Sequence, residues 1–200
     1  MKSFFAIAGA AALAACALTS TASADLIPIS SMGFGIEGNG AFTGSIAYSG
    51  STLTITLTND LASAAGGKIT GVVFNIHGSA TAVLSSTTHA AFADLGASPS
   101  ASPFGTFEAG AAMGGSWAGG GSPAAGIAIG GTGVFTFHVS GADAGILTAA
   151  SFIDGDGVNF AVRFRGFANG GSDKVAGHLV PAPGSLALLG LAGLGLRRRR

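Results

Sequence analysis

The chain is poor in charge, in cysteine and in helical patterning. Charged residues make up 9% of 200, against ~25% in ordinary globular domains. That shortage excludes a coiled coil, a charge-rich disordered chain and an arginine-rich nucleic-acid binder. A lone cysteine, Cys16, excludes a disulfide framework and a multi-cysteine zinc site. No Gly-x-Ser-x-Gly elbow and no phosphate loop ending in Gly-Lys-Ser/Thr occurs. His77, His89, His138 and His178 are scattered without ligand or triad spacing. Nothing in this inventory is a catalytic constellation, so the expectation is a non-enzymatic protein with no required cofactor.

What is present is apolar and small. Fourteen phenylalanines and 35 glycines accompany an apolar content of 48%, enough for a real core, and 200 residues suit one all-β domain. The formal net charge is zero, but it averages unlike parts. Lys2 and Arg197 to Arg200 lie in the two ends, which hold no acidic residue. Residues 25–180 keep four basic and nine acidic residues, a net of about −5. An acidic middle disfavours nucleic acid and anionic headgroups as partners.

The amino-terminal end has a positive charge at Lys2, an apolar stretch over 4–18 and then Ala22-Ser23-Ala24 before Asp25. Small residues at Ala22 and Ala24 suit signal peptidase, and the stretch is short for a membrane span. The reading is a secretory signal peptide over 1–24, helical and cut between Ala24 and Asp25. Leu13-Ala14-Ala15-Cys16 offers an alternative, a lipobox in which Cys16 would be lipidated.

The carboxy-terminal end, 179–200, has three parts. Pro181-Ala182-Pro183 breaks the chain, and an apolar run follows through Leu186, Leu188, Leu189, Leu191, Leu194 and Leu196. The chain then stops in Arg197, Arg198, Arg199 and Arg200. Eleven residues of helix reach about 16 Å, roughly half of a ~30 Å hydrocarbon core. Such a short hydrophobic helix suits transient membrane insertion, with the arginines held on the cytoplasmic side. This layout resembles the PEP-CTERM sorting signal of Gram-negative bacteria, with Ala182 where the family's motif usually has glutamate. The resemblance implies that exosortase recognises Pro181 to Pro183 and removes or exchanges the segment beyond. It also implies an inner-membrane-associated precursor and a mature protein at the cell surface or in the extracellular matrix of a biofilm. Extracellular polysaccharide is the partner such a location offers.

Between the ends, 25–178 reads as an all-β domain, an antiparallel β-sandwich or jelly roll. Thr52 to Thr58 alternates strictly, with Leu53, Ile55 and Leu57 on one face. Val72, Phe74 and Ile76 alternate likewise, as do Phe135, Phe137 and Val139. Val158, Phe160, Val162 and Phe164 point inward, which sends Asn159, Arg163 and Arg165 outward. Phe42, Ile46 and Tyr48 predict a strand that hairpins through Ser49-Gly50-Ser51. Weaker strands are expected near 80–85, 104–108 and 126–130, and one helical turn within 147–152. The glycine-rich stretch 110–133 reads as a long surface loop.

Three features of this middle carry chemical readings. Trp117, the sole tryptophan, either pins the glycine-rich loop to the domain or offers a stacking platform for a sugar ring. Asp154-Gly155-Asp156-Gly157 is either a plain turn or a pair of carboxylates for calcium, without the further ligands of an EF-hand. Arg163 and Arg165 could clamp an anion, or pair with carboxylates across the strand. Residues 169–174 read as a turn.

Overall fold

The computed structural model describes residues 25–31 and 40–181. The expected signal peptide with Ala22 and Ala24, Cys16, the tail from Ala182 onward and both flanking helices lie outside the described residues. Among the described residues, ten strands form: β1 (Asp25–Ser31), β2 (Phe42–Ser49), β3 (Thr52–Asn59), β4 (Gly66–Phe74) and β5 (Thr81–Thr87). After these come β6 (Phe92–Asp94), β7 (Ala109–Met113), β8 (Thr132–Ser140), β9 (Phe160–Phe167) and β10 (Ser172–Leu179). Among the described residues, the helical pieces are 3-10 turns of three or four residues, one of them Ala149–Phe152 within the expected 147–152. No helix among them is long and apolar enough to cross a membrane.

The all-β expectation holds and every strand pairing is antiparallel. The separate layers expected of a sandwich are instead one continuous sheet, in the order β5-β8-β3-β2-β1-β10-β9-β4-β7-β6. Its two halves join where β1 meets β10, through Ile29↔Leu179, Ser30↔His178 and Ser31↔Gly177. The sheet curls until it is nearly closed into a barrel, and the edge strands meet across the gap. There the Leu84 N–H of β5 donates to the Asp94 carboxylate of β6 at 2.7 Å.

Alternation explains which side chains fill the interior. Leu53, Ile55 and Leu57 of β3 are fully buried, and so are Phe135, Phe137 and Val139 of β8. The rings then meet across the barrel: Phe74 of β4 stands edge-on to Phe137 of β8, with centroids 5.0 Å apart and planes at 83°. Phe92 of β6 meets Phe135 of β8 at 5.0 Å in the same manner. Such aromatic pairs contribute about 0.5–1.5 kcal/mol beyond their buried area. The β2–β3 hairpin turns at Gly50 (φ 53°) and Ser51 (φ 68°), the left-handed pair of a type I′ turn that matches strand twist.

Several strand assignments differ from expectation for identifiable reasons. The loop expected over 110–133 begins as β7, whose five residues are all buried. Only small residues fit there, since a Cβ at Gly110 would stand 2.5 Å from the Val72 carbonyl oxygen. Ala-Gly-Ala-Ala therefore carries no hydrophobic alternation to read. The expected strands at 104–108 and 126–130 reduce to single bridges, Ser100↔Thr106 and Ile69↔Ile127. The turn expected over 169–174 ends by Gly171, and Ser172 already belongs to β10. Strand β1 was concealed by Pro28, whose carbonyl accepts from Val180 N at 3.0 Å. Its missing N–H faces the same partner just past the end of β10, so the proline removes one bond at the last pair of the ladder.

Two predictions follow from this packing. A Cβ at Gly44 would overlap the Thr56 carbonyl oxygen on the neighbouring strand, while one at Gly50 meets nothing within 4 Å. Gly44→Ala should therefore lower stability by about 2–3 kcal/mol as an overpacking change, and Gly50→Ala by about 1 kcal/mol through its left-handed backbone. Urea unfolding of the two variants checks the ranking. Asp143 accepts the Ser79 backbone N–H, and this bond holds its carboxyl below the ordinary carboxylate value. A depressed folded-state pKa contributes stability above roughly pH 4, and that contribution is lost as pH falls. Asp143→Asn should melt below wild type at pH 7, and the gap should narrow as pH falls below about 4, as followed by thermal unfolding across the acid range.

Candidate functional site

The outer face of β9 carries Arg163 and Arg165, because Val162 and Phe164 take the inner face. Register sets their neighbours: Lys174 lies opposite Arg163 on β10, while Ser172 on β10 and Lys68 on β4 flank Arg165. Opposed residues on antiparallel strands hold their Cβ atoms about 4.5–5.5 Å apart. The carboxylates expected across the strand are therefore replaced by two lysines and a serine. All four basic residues of 25–181 fall on three adjacent strands.

A glycine-rich loop after β7 lies over these arginines. The Trp117 carbonyl accepts from Arg163 Nη1, and the Gly120 carbonyl accepts from Arg165 Nη1 at 3.2 Å. Gly119 packs against the Arg165 guanidinium with a left-handed φ of 98°, a backbone conformation that favours glycine. Arg163 Nε is buried with no hydrogen-bond partner among the described residues. Burial, with the positive charge of Arg165 beside it, pushes the Arg163 guanidinium below its ordinary pKa. Together Arg163, Arg165, Ser172, Gly170, Ala118 and Pro123 line a cavity of about 480 Å³, within the ~300–1,000 Å³ of ordinary ligand clefts.

Trp117 pins this loop and does not present a ring. It is 6% exposed and packs with Val73, Ala101, Phe107 and Ala161 in a small apolar cluster outside the barrel core. Its Nε1 donates to the Ser102 carbonyl at 3.4 Å, and Gly71 beneath it leaves room for the indole. A sugar-stacking platform, the other sequence reading, needs an exposed ring face that this burial removes.

Asp154 and Asp156 are exposed in the connection that leads into β9. Asp154 Oδ1 accepts from Gly155 N at 2.9 Å, and the Asp156 carbonyl accepts from Asn159 Nδ2 at 3.2 Å. Both bonds are local and stay within the turn itself. His77, Asn75 and Asn159 line shallow cavities beside them. Among the described residues, no group of three or more His, Cys, Asp or Glu side chains could hold a metal ion. The four histidines stay apart: His138 is exposed on β8, and His178 on β10 lies 3.5 Å from Ser30 Oγ.

At the two ends, Asp25 opens β1 and its carboxylate accepts the Ala149 N–H at 2.9 Å. Pro181 follows β10 by two residues. Among the described residues, three buried polar groups, Asn59, Thr70 and Asp173, escaped the sequence reading. Asp173 is fully buried in β10 and accepts the Gly40 N–H at 2.7 Å. Its inward position was available from its alternation with Val175, but the neighbouring glycines read as a turn. No protein-family model, curated protein or solved structure matches the chain.

The loop contacts give a spectroscopic prediction. Arg163→Gln leaves the Trp117 carbonyl without its charged donor, a loss of about 1–3 kcal/mol. Emission of the sole tryptophan should be blue-shifted and poorly quenched by iodide in the wild type, and red-shifted and more readily quenched in the variant.

Proposed function

We propose that this is an exported, non-enzymatic protein of the cell surface or extracellular matrix, sorted through an exosortase-type signal at its carboxy terminus. Signal peptidase would cut before Asp25. Exosortase would act at Pro181-Ala182-Pro183, after the apolar run and Arg197 to Arg200 had held the precursor at the inner membrane. The observation that supports this best is where the last strand stops. Strand β10 ends at Leu179, two residues before Pro181. A cut at the proline motif would therefore leave the ten described strands whole. The two terminal strands are also neighbours, so processing at either end falls outside the ladder that joins the half-sheets.

The body suits that setting. It is a sandwich-like pair of half-sheets closed along one side and held by apolar packing, with no cysteine in 25–181. Such a fold needs neither an oxidising nor a reducing compartment. Mass spectrometry of the protein recovered from its own producing cells tests the reading. The expected mature chain begins at Asp25 and lacks Arg197 to Arg200. Replacing the four arginines with glutamine should leave the tail uncleaved. An exported chain that retains an intact arginine tail would defeat the sorting claim, and a lipidated Cys16 would move the amino-terminal cut.

A further inference from the structure

Arginine and lysine placed side by side on a sheet repel one another, and opposed like charges are destabilising. This domain nonetheless gathers all four of its basic residues on β4, β9 and β10, while nine acidic residues leave 25–180 at about −5. The ties that fix Arg163 and Arg165 are backbone carbonyls, at Trp117 and Gly120, which orient a guanidinium without cancelling its charge. Each guanidinium has five N–H donors and spends one Nη1 contact on the loop. Among the described residues, Arg163 Nε is buried and unpartnered beside the same cavity. A pre-oriented pair of guanidiniums, tied to backbone carbonyls and to no carboxylate among the described residues, with the Ser172 hydroxyl and a glycine turn at the rim, matches an anionic oxygen ligand.

We propose that the Arg163–Arg165 cavity binds the carboxylate groups of an acidic polysaccharide, with Lys68 adding charge at its edge. The choice of a sugar acid as occupant rests on the exported, matrix-located reading above. The charge distribution narrows the polymer. A densely charged strand such as DNA would run off the basic patch onto an acidic surface, and repulsion would oppose it. A uronate-bearing glycan spaces its carboxylates along a neutral, hydroxyl-rich chain, so one or two can enter while the rest of the chain avoids like charge. Gly170 and Gly171 keep side chains from the mouth of the cavity, which leaves room for a ring.

The test is calorimetric titration of the purified protein with oligogalacturonate, beside maltotetraose, inorganic phosphate and a DNA oligonucleotide of equal charge. Oligogalacturonate should bind and maltotetraose should not. Binding should weaken as salt rises, since charge pairs at a surface are screened over about 10 Å at 0.1 M. Arg165→Gln should reduce affinity at least tenfold, with an unchanged far-ultraviolet circular dichroism spectrum as the check on folding. Lys68→Gln should reduce affinity by a smaller factor, and His138→Gln on the distant β8 should leave it unaltered. The proposal is overturned if oligogalacturonate fails to bind, if Arg165→Gln binds like wild type, or if phosphate or DNA binds as tightly. A correctly processed protein that ignores oligogalacturonate defeats the site alone. One that binds but is never exported defeats the location and leaves the site standing.

Discussion

Three residue pairs between β1 and β10 make one sheet out of two. Without them, β1 and β10 would each present a bare edge of unpaired N–H and C=O groups, the template on which foreign strands add. With them, the half-sheets are hinged along one side and must fold toward each other over a shared interior. Gly177 sits in this seam opposite Ser31, and a Cβ there would stand 2.8 Å from Phe160 Cδ1 and 3.1 Å from Phe42 Cζ. The missing side chain lets Phe42 of β2 and Phe160 of β9 approach to 6.1 Å beneath the seam. From there, the edge-on pairs Phe74–Phe137 and Phe92–Phe135 carry the same core to the far side, where Asp94 bridges the last gap. Closure and core are thus one event: the seam sets the curl, and the curl brings opposing rings into contact.

The parts of this arrangement that show in the sequence are those set by local side-chain periodicity. Strands β3, β8 and β9 announce themselves because β-branched or aromatic residues alternate with polar ones along a half-buried surface. The hairpin at Gly50-Ser51 is equally local. The parts that do not show depend on long-range pairing. Strand β7 is flanked so closely over Ala109 to Ala112 that those positions hold only alanine and glycine, which erases the signal that burial usually leaves. Strand β1 contains a proline beside the last pair of its ladder with β10, a place that only the pairing defines. Asp173 looks like a turn residue until the approach of Gly40 gives its carboxylate a buried donor.

The candidate site divides in the same way. That Arg163 and Arg165 share an outer face follows from Val162 and Phe164 facing in, a two-residue rule applied to eight residues. That their neighbours are Lys68, Lys174 and Ser172 follows only from strand register, which joins positions far apart in the chain. Trp117 is the sharper case. An indole in a glycine-rich segment can equally cover a core or meet a ligand, and its surroundings decide. Gly71 on β4 and Ala161 on β9 supply the small floor on which it lies, and neither is near it in sequence.

The scarcity of charge then acquires a structural meaning. A protein rich in carboxylates would fix an outward arginine by pairing it, and the pair would present little net field. Here the fixing is done by carbonyls of a glycine-rich loop that packs against the guanidiniums, as Gly119 does at Arg165. Neutral acceptors satisfy the hydrogen-bond geometry of arginine and leave its charge in place. The cost is the repulsion between the two neighbouring guanidiniums, together with partial desolvation that depresses the Arg163 pKa. That cost is tolerable because the sheet beneath is rigid and apolar, and because the remaining surface is acidic, which lowers the potential over the whole patch. Glycine abundance and charge poverty, which in the sequence look like unrelated oddities of composition, are two halves of one device that holds positive charge still without neutralising it.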